Sequence, residues 1–248
     1  MENKSETKKC QNCKKDFVIE QEDFNFYEKI KVPPPTFCPE CRMIRRMIWR
    51  NFRSLFKRIC GMCSKNLISM YPEDKIKTVY CTDCWNGDKR DPFLQARIYD
   101  FSKNFFDQMR GLIHDSPFFY VYHTGSMVRS DFTNYSADNK DCYLSFSVVE
   151  CENVLYSELI DKSKNTLDSY AAQKLEGCSY NISSDSNYNC HFMVESNKCI
   201  DSYFLFDCVN CQNCYLSYNL RNKQYFFKNK KMSKEEYEKE IINLNLNT

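Results

Sequence analysis

The sequence predicts an α+β multi-domain chain: two small four-cysteine modules of treble-clef or zinc-ribbon type, then a capped parallel β-solenoid built on a 12-residue repeat. Three observations carry this expectation: four C-x2-C pairs in the first 85 residues, a cation-rich stretch between the second and third pairs, and a recurrence of small and turn-forming residues every 12 positions in the second half. Boundaries are expected at 8–59 for the first module with its basic helix, 60–86 for the second module, 87–130 for a helical connector and N-terminal cap, 131–227 for the solenoid, and 228–248 for a C-terminal capping helix.

Cys10 and Cys13 pair with Cys38 and Cys41, and Cys60 and Cys63 with Cys81 and Cys84. Two intervening residues let both thiolates of a pair converge on one ion, and two pairs complete the closed tetrahedral shell of a structural site. Two structural Zn2+ ions are therefore expected, with no open catalytic position. Iron–sulfur clusters use the same ligands, but pairs separated by strand-like and turn-like segments favour zinc. The N-terminal MENKSETKKC is polar, and no run approaches the roughly 18 to 20 apolar residues of a membrane span. A cytoplasmic protein is expected, whose 16 cysteines are thiols serving as ligands or small core residues rather than disulfides.

Residues 8–42, KKCQNCKKDFVIEQEDFNFYEKIKVPPPTFCPECR, resemble a family of small bacterial "probable zinc-ribbon" domains, with C-x2-C, an apolar strand, an acidic-aromatic segment and a closing CPECR. The resemblance implies Cys10, Cys13, Cys38 and Cys41 as ligands, with Tyr27 and Arg42 as its aromatic and basic elements; the family has no assigned reaction. Residues 60–85, ending VYCTDCW, resemble a second zinc module of the same kind. The whole chain is similar to proteins from bacteria with reduced genomes, some labelled as CoA-transferases. The repeat-rich sequence does not support a large α/β transferase fold.

The net charge of +2 is unevenly spread: residues 1–120 carry +6, 121–220 carry −7 and 221–248 carry +3. Within the front, RMIRRMIWRNFRSLFKRI (42–59) contains seven cations and no acid: Arg42, Arg45, Arg46, Arg50, Arg53, Lys57 and Arg58. Ile44, Ile48, Phe52, Leu55 and Ile59 recur at helical spacing, so one helix is expected with the cations opposite its apolar face. Uncompensated arginines of this kind suit phosphates, so nucleic acid is the expected partner, RNA favoured, or a ribonucleoprotein. The alternative is a solvated face. Trp49, Phe52 and Phe56 are candidates either for stacking on unpaired bases or for core packing.

Stacked every 12 positions, one column reads Cys142, Val154, Thr166, Cys178, Cys190, Ser202, Cys214. The preceding residue is Asp141, Asn153, Asn165, Gly177, Asn189, Asp201 or Asn213, all turn-forming. Two places after the small column come Leu144, Tyr156, Asp168, Tyr180, Phe192, Phe204 and Leu216, read as large inward-looking residues. Their bulk favours a 24-residue coil over a narrower 12-residue one. The other cysteines, Cys151, Cys199, Cys208 and Cys211, fall three or six residues before the small column, so DCVNCQNCY at 207–215 reads as stacked core thiols rather than a metal cluster.

Ser102 is expected to cap a helix to about His114 that places Phe105, Phe106, Met109 and Ile113 on the first coil, and Ser233 with Glu236 to form a capping box at the other end. His114, His123 and His191 read as surface or packing residues, and no triad order, P-loop or dinucleotide motif is present. The functional expectation is a non-enzymatic, zinc-binding adaptor that contacts RNA or a ribonucleoprotein through the basic helix and a protein along the solenoid, with no membrane. The alternatives are a purely structural interaction module, or a carbohydrate-active β-helix using acids such as Asp131, Asp138 and Asp168.

Overall fold

The computed structural model describes residues 5–48 and 51–244. The chain divides into two units, 1–51 and 52–248.

In the first unit, β1 (Glu6–Lys9) and β2 (Asp16–Ile19) form an antiparallel hairpin whose turn carries Cys10 and Cys13. Helix α1 (Gln21–Lys29) follows, started by a reciprocal Glu20–Asp23 capping box. Helix α2 (Pro39–Ile48) opens on the second cysteine pair with proline at its first position, where the missing N–H costs nothing.

The single helix expected over 42–59 does not form. Trp49 and Arg50 lie outside the described residues, and Phe56–Ile59 is a strand, β3, paired antiparallel with β4 (Asn66–Ser69). Tertiary pairing overrides the helical periodicity. Arg58 bridges this hairpin to the following loop, donating to the carbonyls of Tyr71 (2.9 Å), Ile76 (3.0 Å) and Lys77 (3.0 Å). Strand β5 (Val79–Tyr80) then leads into the short helix α3 (Thr82–Asn86).

Helix α4 (Phe105–Asp115) is capped by Asn104, whose Oδ1 accepts from the Phe106 N–H at 2.8 Å, rather than by Ser102, which is held in a turn by Asp100. Phe105, Phe106 and Met109 are exposed, contrary to the expected cap. The link to the first coil is instead β6 (Phe118–Phe119), parallel to β5. Tyr122, just beyond it, stacks on Tyr135 at 5.2 Å.

A parallel β-solenoid of about nine turns occupies 123–227, beginning eight residues earlier than expected. Neighbouring coils pair at a 12-residue offset, as in Thr166↔Cys178 and Cys190↔Ser202, so the coil is 12 residues and not 24. The reason is a finer period. From Tyr135 to Lys228 every third residue has positive φ, Gly177 among them, and from Ser136 to Leu220 the residue after each of these is buried. Each coil is thus a square of four three-residue sides. Tyr156, Tyr180 and Phe192, expected inside, stand at corners 53%, 45% and 43% exposed, which leaves the narrow tube uncrowded.

Left-handed backbone at a non-glycine residue costs about 1 kcal/mol or more, and here the cost recurs at nearly every corner. Ladders along the corners offset it. Asn153 donates to Asn165 (2.8 Å), Asn189 to Asp201 (2.7 Å) and Asn210 to Asn222 (2.7 Å), while Tyr180, Phe192 and Phe204 stack at 4.7 and 4.6 Å with rings 4° from parallel. Inside, small polar groups pair with the backbone. Ser157 Oγ donates to the Leu155 carbonyl (2.8 Å) and accepts the Ser169 N–H from the next coil (3.1 Å), and Asn181 Nδ2 bridges the carbonyls of Ser179 and Cys190, both at 2.9 Å.

The last coil turns back at Phe226–Phe227, which pair antiparallel with Lys231–Lys230. Helix α5 (Lys234–Asn243) follows, started by the expected capping box: Glu236 N–H to Ser233 Oγ at 3.2 Å and Ser233 N–H to Glu236 Oε2 at 2.8 Å. Tyr237 packs on Tyr215 and Phe227, covering the side of the final coils.

Candidate metal centres

The eight cysteines assigned as ligands gather into two groups, Cys10/Cys13/Cys38/Cys41 and Cys60/Cys63/Cys81/Cys84, each with its four Sγ atoms within 4.8 Å of one another. Both are built alike: the first pair lies in a hairpin turn and the second at a helix start, a treble-clef plan. The backbone repeats bond for bond. Cys10 N–H donates to Lys15 O and Cys60 N–H to Lys65 O, both at 2.9 Å; Gln11 N–H donates to Thr36 O and Gly61 N–H to Val79 O, again both at 2.9 Å. Lys14 and Ser64 take the same left-handed conformation, at φ 64 and φ 59. This correspondence was readable from CQNCKK and CGMCSK once the two segments are aligned.

The residues fit a tetrahedral ion. Four sulfurs about 2.3 Å from a central zinc would lie about 3.8 Å apart. Cys13 and Cys38 are 3.8 Å apart, and Cys63 and Cys81 3.7 Å. Backbone N–H groups point at the sulfurs, Cys38 N–H at Cys10 (3.3 Å) and Cys81 N–H at Cys60 (3.4 Å). Burial opposes ionisation of Cys10, yet the N–H groups of Cys38, Cys13 and Asn12 hold its thiol down to about 6. Cys60 is held down to about 6 in the same way by Cys81, Cys63 and Met62. Hydrogen bonding to the charged form is what favours it. Asn12 adds a side-chain bond to Cys41 at 3.3 Å, and Cys63 alone among the eight is exposed.

The other eight cysteines are all buried in the solenoid. Their sulfurs donate to carbonyls two residues back, as Cys190 does to Tyr188 at 3.3 Å, in the place where serine hydroxyls do so in neighbouring coils, as Ser202 does to Ile200 at 2.8 Å. Burial pushes Cys151 up to about 11 and Cys190 up to about 12.

The seven predicted nucleic-acid residues do not share one helix. Arg42, Arg45 and Arg46 belong to α2 in the first unit, and Arg53, Lys57 and Arg58 to the second. Arg42 donates to the Tyr27 hydroxyl at 3.4 Å, with its Nε buried and unpaired, and Arg45 lies 4.4 Å over the Phe37 ring. Arg53 is paired with Glu158, and Arg58 is committed to backbone carbonyls. Lys57 instead lines an open groove of about 1280 Å³ in the second unit, with Lys65, Trp85, Tyr120 and His123 but also Asp83 and Asp131. His123 bonds to Thr133, His191 to Ser179 Oγ at 2.7 Å, and His114 to Asp115 at 2.9 Å.

Fold and site together define a protein of two four-cysteine clusters and one square β-solenoid. Neither a protein-family model nor a curated protein matches the chain. No helix among the described residues is long and apolar enough to cross a membrane.

Proposed function

We propose that the chain is a non-catalytic scaffold in which both clusters hold structural zinc and the solenoid docks another protein chain. Zinc is favoured because it needs only a closed tetrahedral thiolate shell and leaves no reactive position. The observation that carries the docking role is an outward column, one residue per coil: Tyr170, Ile182, Val194, Phe206, Tyr218. It is uncharged throughout, and its members at 170, 182, 206 and 218 are 46%, 44%, 53% and 63% exposed. The adjoining side carries Asp161, Gln173, Asp185 and Asn197 at equivalent positions. A continuous apolar stripe rimmed by polar residues is the surface pattern of a protein-binding site. A photo-crosslinking residue at Phe206 tests this in native cells: a discrete polypeptide adduct is expected, and no adduct at all ends the reading.

A second contact, with RNA or another single-stranded nucleic acid, is favoured by cations of the second unit that have no carboxylate partner among the described residues, Lys57 and Lys65 in the groove that Trp85 also lines. With about two phosphate contacts, log affinity falls against log salt with a slope of roughly −1.5 to −2, and Lys57→Glu with Lys65→Glu removes binding. Absence of binding at about 50 mM salt excludes this contact, since phosphate attraction is strongest at low ionic strength.

A further inference from the structure

Resting on the scaffold reading, we infer that the occupant of the Tyr170–Tyr218 column is a second copy of this chain, in a two-fold dimer with the solenoids face to face and antiparallel. The chain already covers the surfaces around it. On the adjacent side, Tyr203, Phe204 and Tyr215 pack with Tyr237 and Ile241 of α5. At the start of the same column, Phe146 meets Phe52 at 6.1 Å and Glu158 pairs with Arg53. What stays open is a straight run of five coils.

Its spacing selects the partner. Successive residues of the column sit on adjacent parallel strands, about 4.8 Å apart, so only a surface of the same pitch can match them one to one. A docked α-helix repeats every 5.4 Å and drifts out of step over the column's length. A second solenoid matches throughout, and the order of residues suits a two-fold axis: Val194 lies at the centre, Ile182 meets Phe206 of the other copy, and Tyr170 meets Tyr218. At the flanking corner Phe192 meets its own mate. The stacked corner rings are parallel to one another and so present edges rather than faces, which suits packing against side chains and not against the flat face of a sugar.

The area is enough for a reversible dimer. Five coils span about 24 Å, and a side with its aromatic corner about 20 Å, giving roughly 500 Å² per copy and about 1,000 Å² in all, the lower end of specific interfaces. Glu195, beside Val194 at the opposite corner, faces its own mate at the rim, so salt should tighten the dimer by screening that repulsion.

Sedimentation equilibrium of the metal-loaded full chain from about 2 to about 200 µM tests this by mass action. The expected mass rises from 29.7 kDa toward twice that value, with association about two- to five-fold tighter in about 0.5 M than in about 0.05 M salt. Val194→Arg should weaken association at least about 30-fold by placing like charges on the axis, and Tyr218→Arg, at a more exposed site, should do so by about 10-fold. Gln173→Arg, on the polar side, should leave it unchanged, each variant keeping the wild-type circular dichroism. A single 29.7 kDa species at every concentration, or a dimer indifferent to Val194→Arg and Tyr218→Arg, overturns the inference. A monomer that still crosslinks at Phe206 to a different polypeptide overturns it too, while leaving the scaffold reading in place.

Discussion

Sixteen cysteines occupy two unlike settings in this chain, eight converging in two groups that could hold metal ions and eight as buried packing groups in the solenoid. In the clusters each thiol is aimed at three others, with N–H groups holding Cys10 and Cys60 down to about 6. In the solenoid each points at a backbone carbonyl, and burial drives Cys151 and Cys190 the other way, to about 11 and about 12. The same residue fits a metal-ligand role where four thiols converge and the backbone offers donors, and is a small weak donor where it offers acceptors.

The largest effect is expected at the clusters. Structural zinc contributes about 10 kcal/mol or more of apparent folding energy, so Cys38→Ser or Cys81→Ser should unfold its own module and remove one metal per chain. The β signal of the solenoid in circular dichroism should persist, and its loss would show the two regions to be energetically one. Next comes the solenoid interior. Cys190→Arg buries an unpaired charge and should cost about 4 kcal/mol or more, abolishing soluble expression, whereas Cys190→Ser installs the hydroxyl that Ser202 already shows and should cost about 1 kcal/mol or less by denaturant titration. Deleting 176–187, one full coil, should leave a cooperative thermal transition, while deleting ten residues from the same place breaks every inward column after the cut.

Acid should separate the regions further. Cys10 and Cys60 ionise below their ordinary value of 9.0, so their contribution is complete above that value and is lost as pH falls through about 6. Proton competition for the metal acts in the same direction, and metal release followed by a colorimetric chelator should steepen below about pH 6, with the exposed Cys63 site emptying first. The smallest effect belongs to His123 and His191, which burial holds below 6.5. The folded solenoid binds fewer protons than the unfolded chain, so its thermal midpoint should slip slightly as pH falls through 6.5 and stay level above it.

The parts legible in the sequence were those written as fixed spacings. C-x2-C pairs mark both converging cysteine groups, the 12-residue column of Cys142 to Cys214 marks the inward phase, and S-x-x-E marks the start of α5. Where local pattern and tertiary pairing disagreed, the reading failed. Residues 42–59 have helical periodicity, but Phe56–Ile59 pairs with Asn66–Ser69 and Arg58 is spent on carbonyls. The period-two alternation of ordinary strands points the aromatics at 156, 180 and 192 inward. The solenoid instead inserts a left-handed residue at every third position, which turns them outward. The signal was present in the cysteines themselves, whose three phases are three residues apart.

The division of cysteines is tested most directly by counting metal and thiols on one sample. Purified chain should carry two zinc ions by elemental analysis and show no thiol that reacts quickly with a maleimide; after chelation eight should react, and the remaining eight only on unfolding. A metal ratio near zero or one, the visible absorption of an iron–sulfur cluster, or solenoid thiols reacting together with those of the clusters would contradict it.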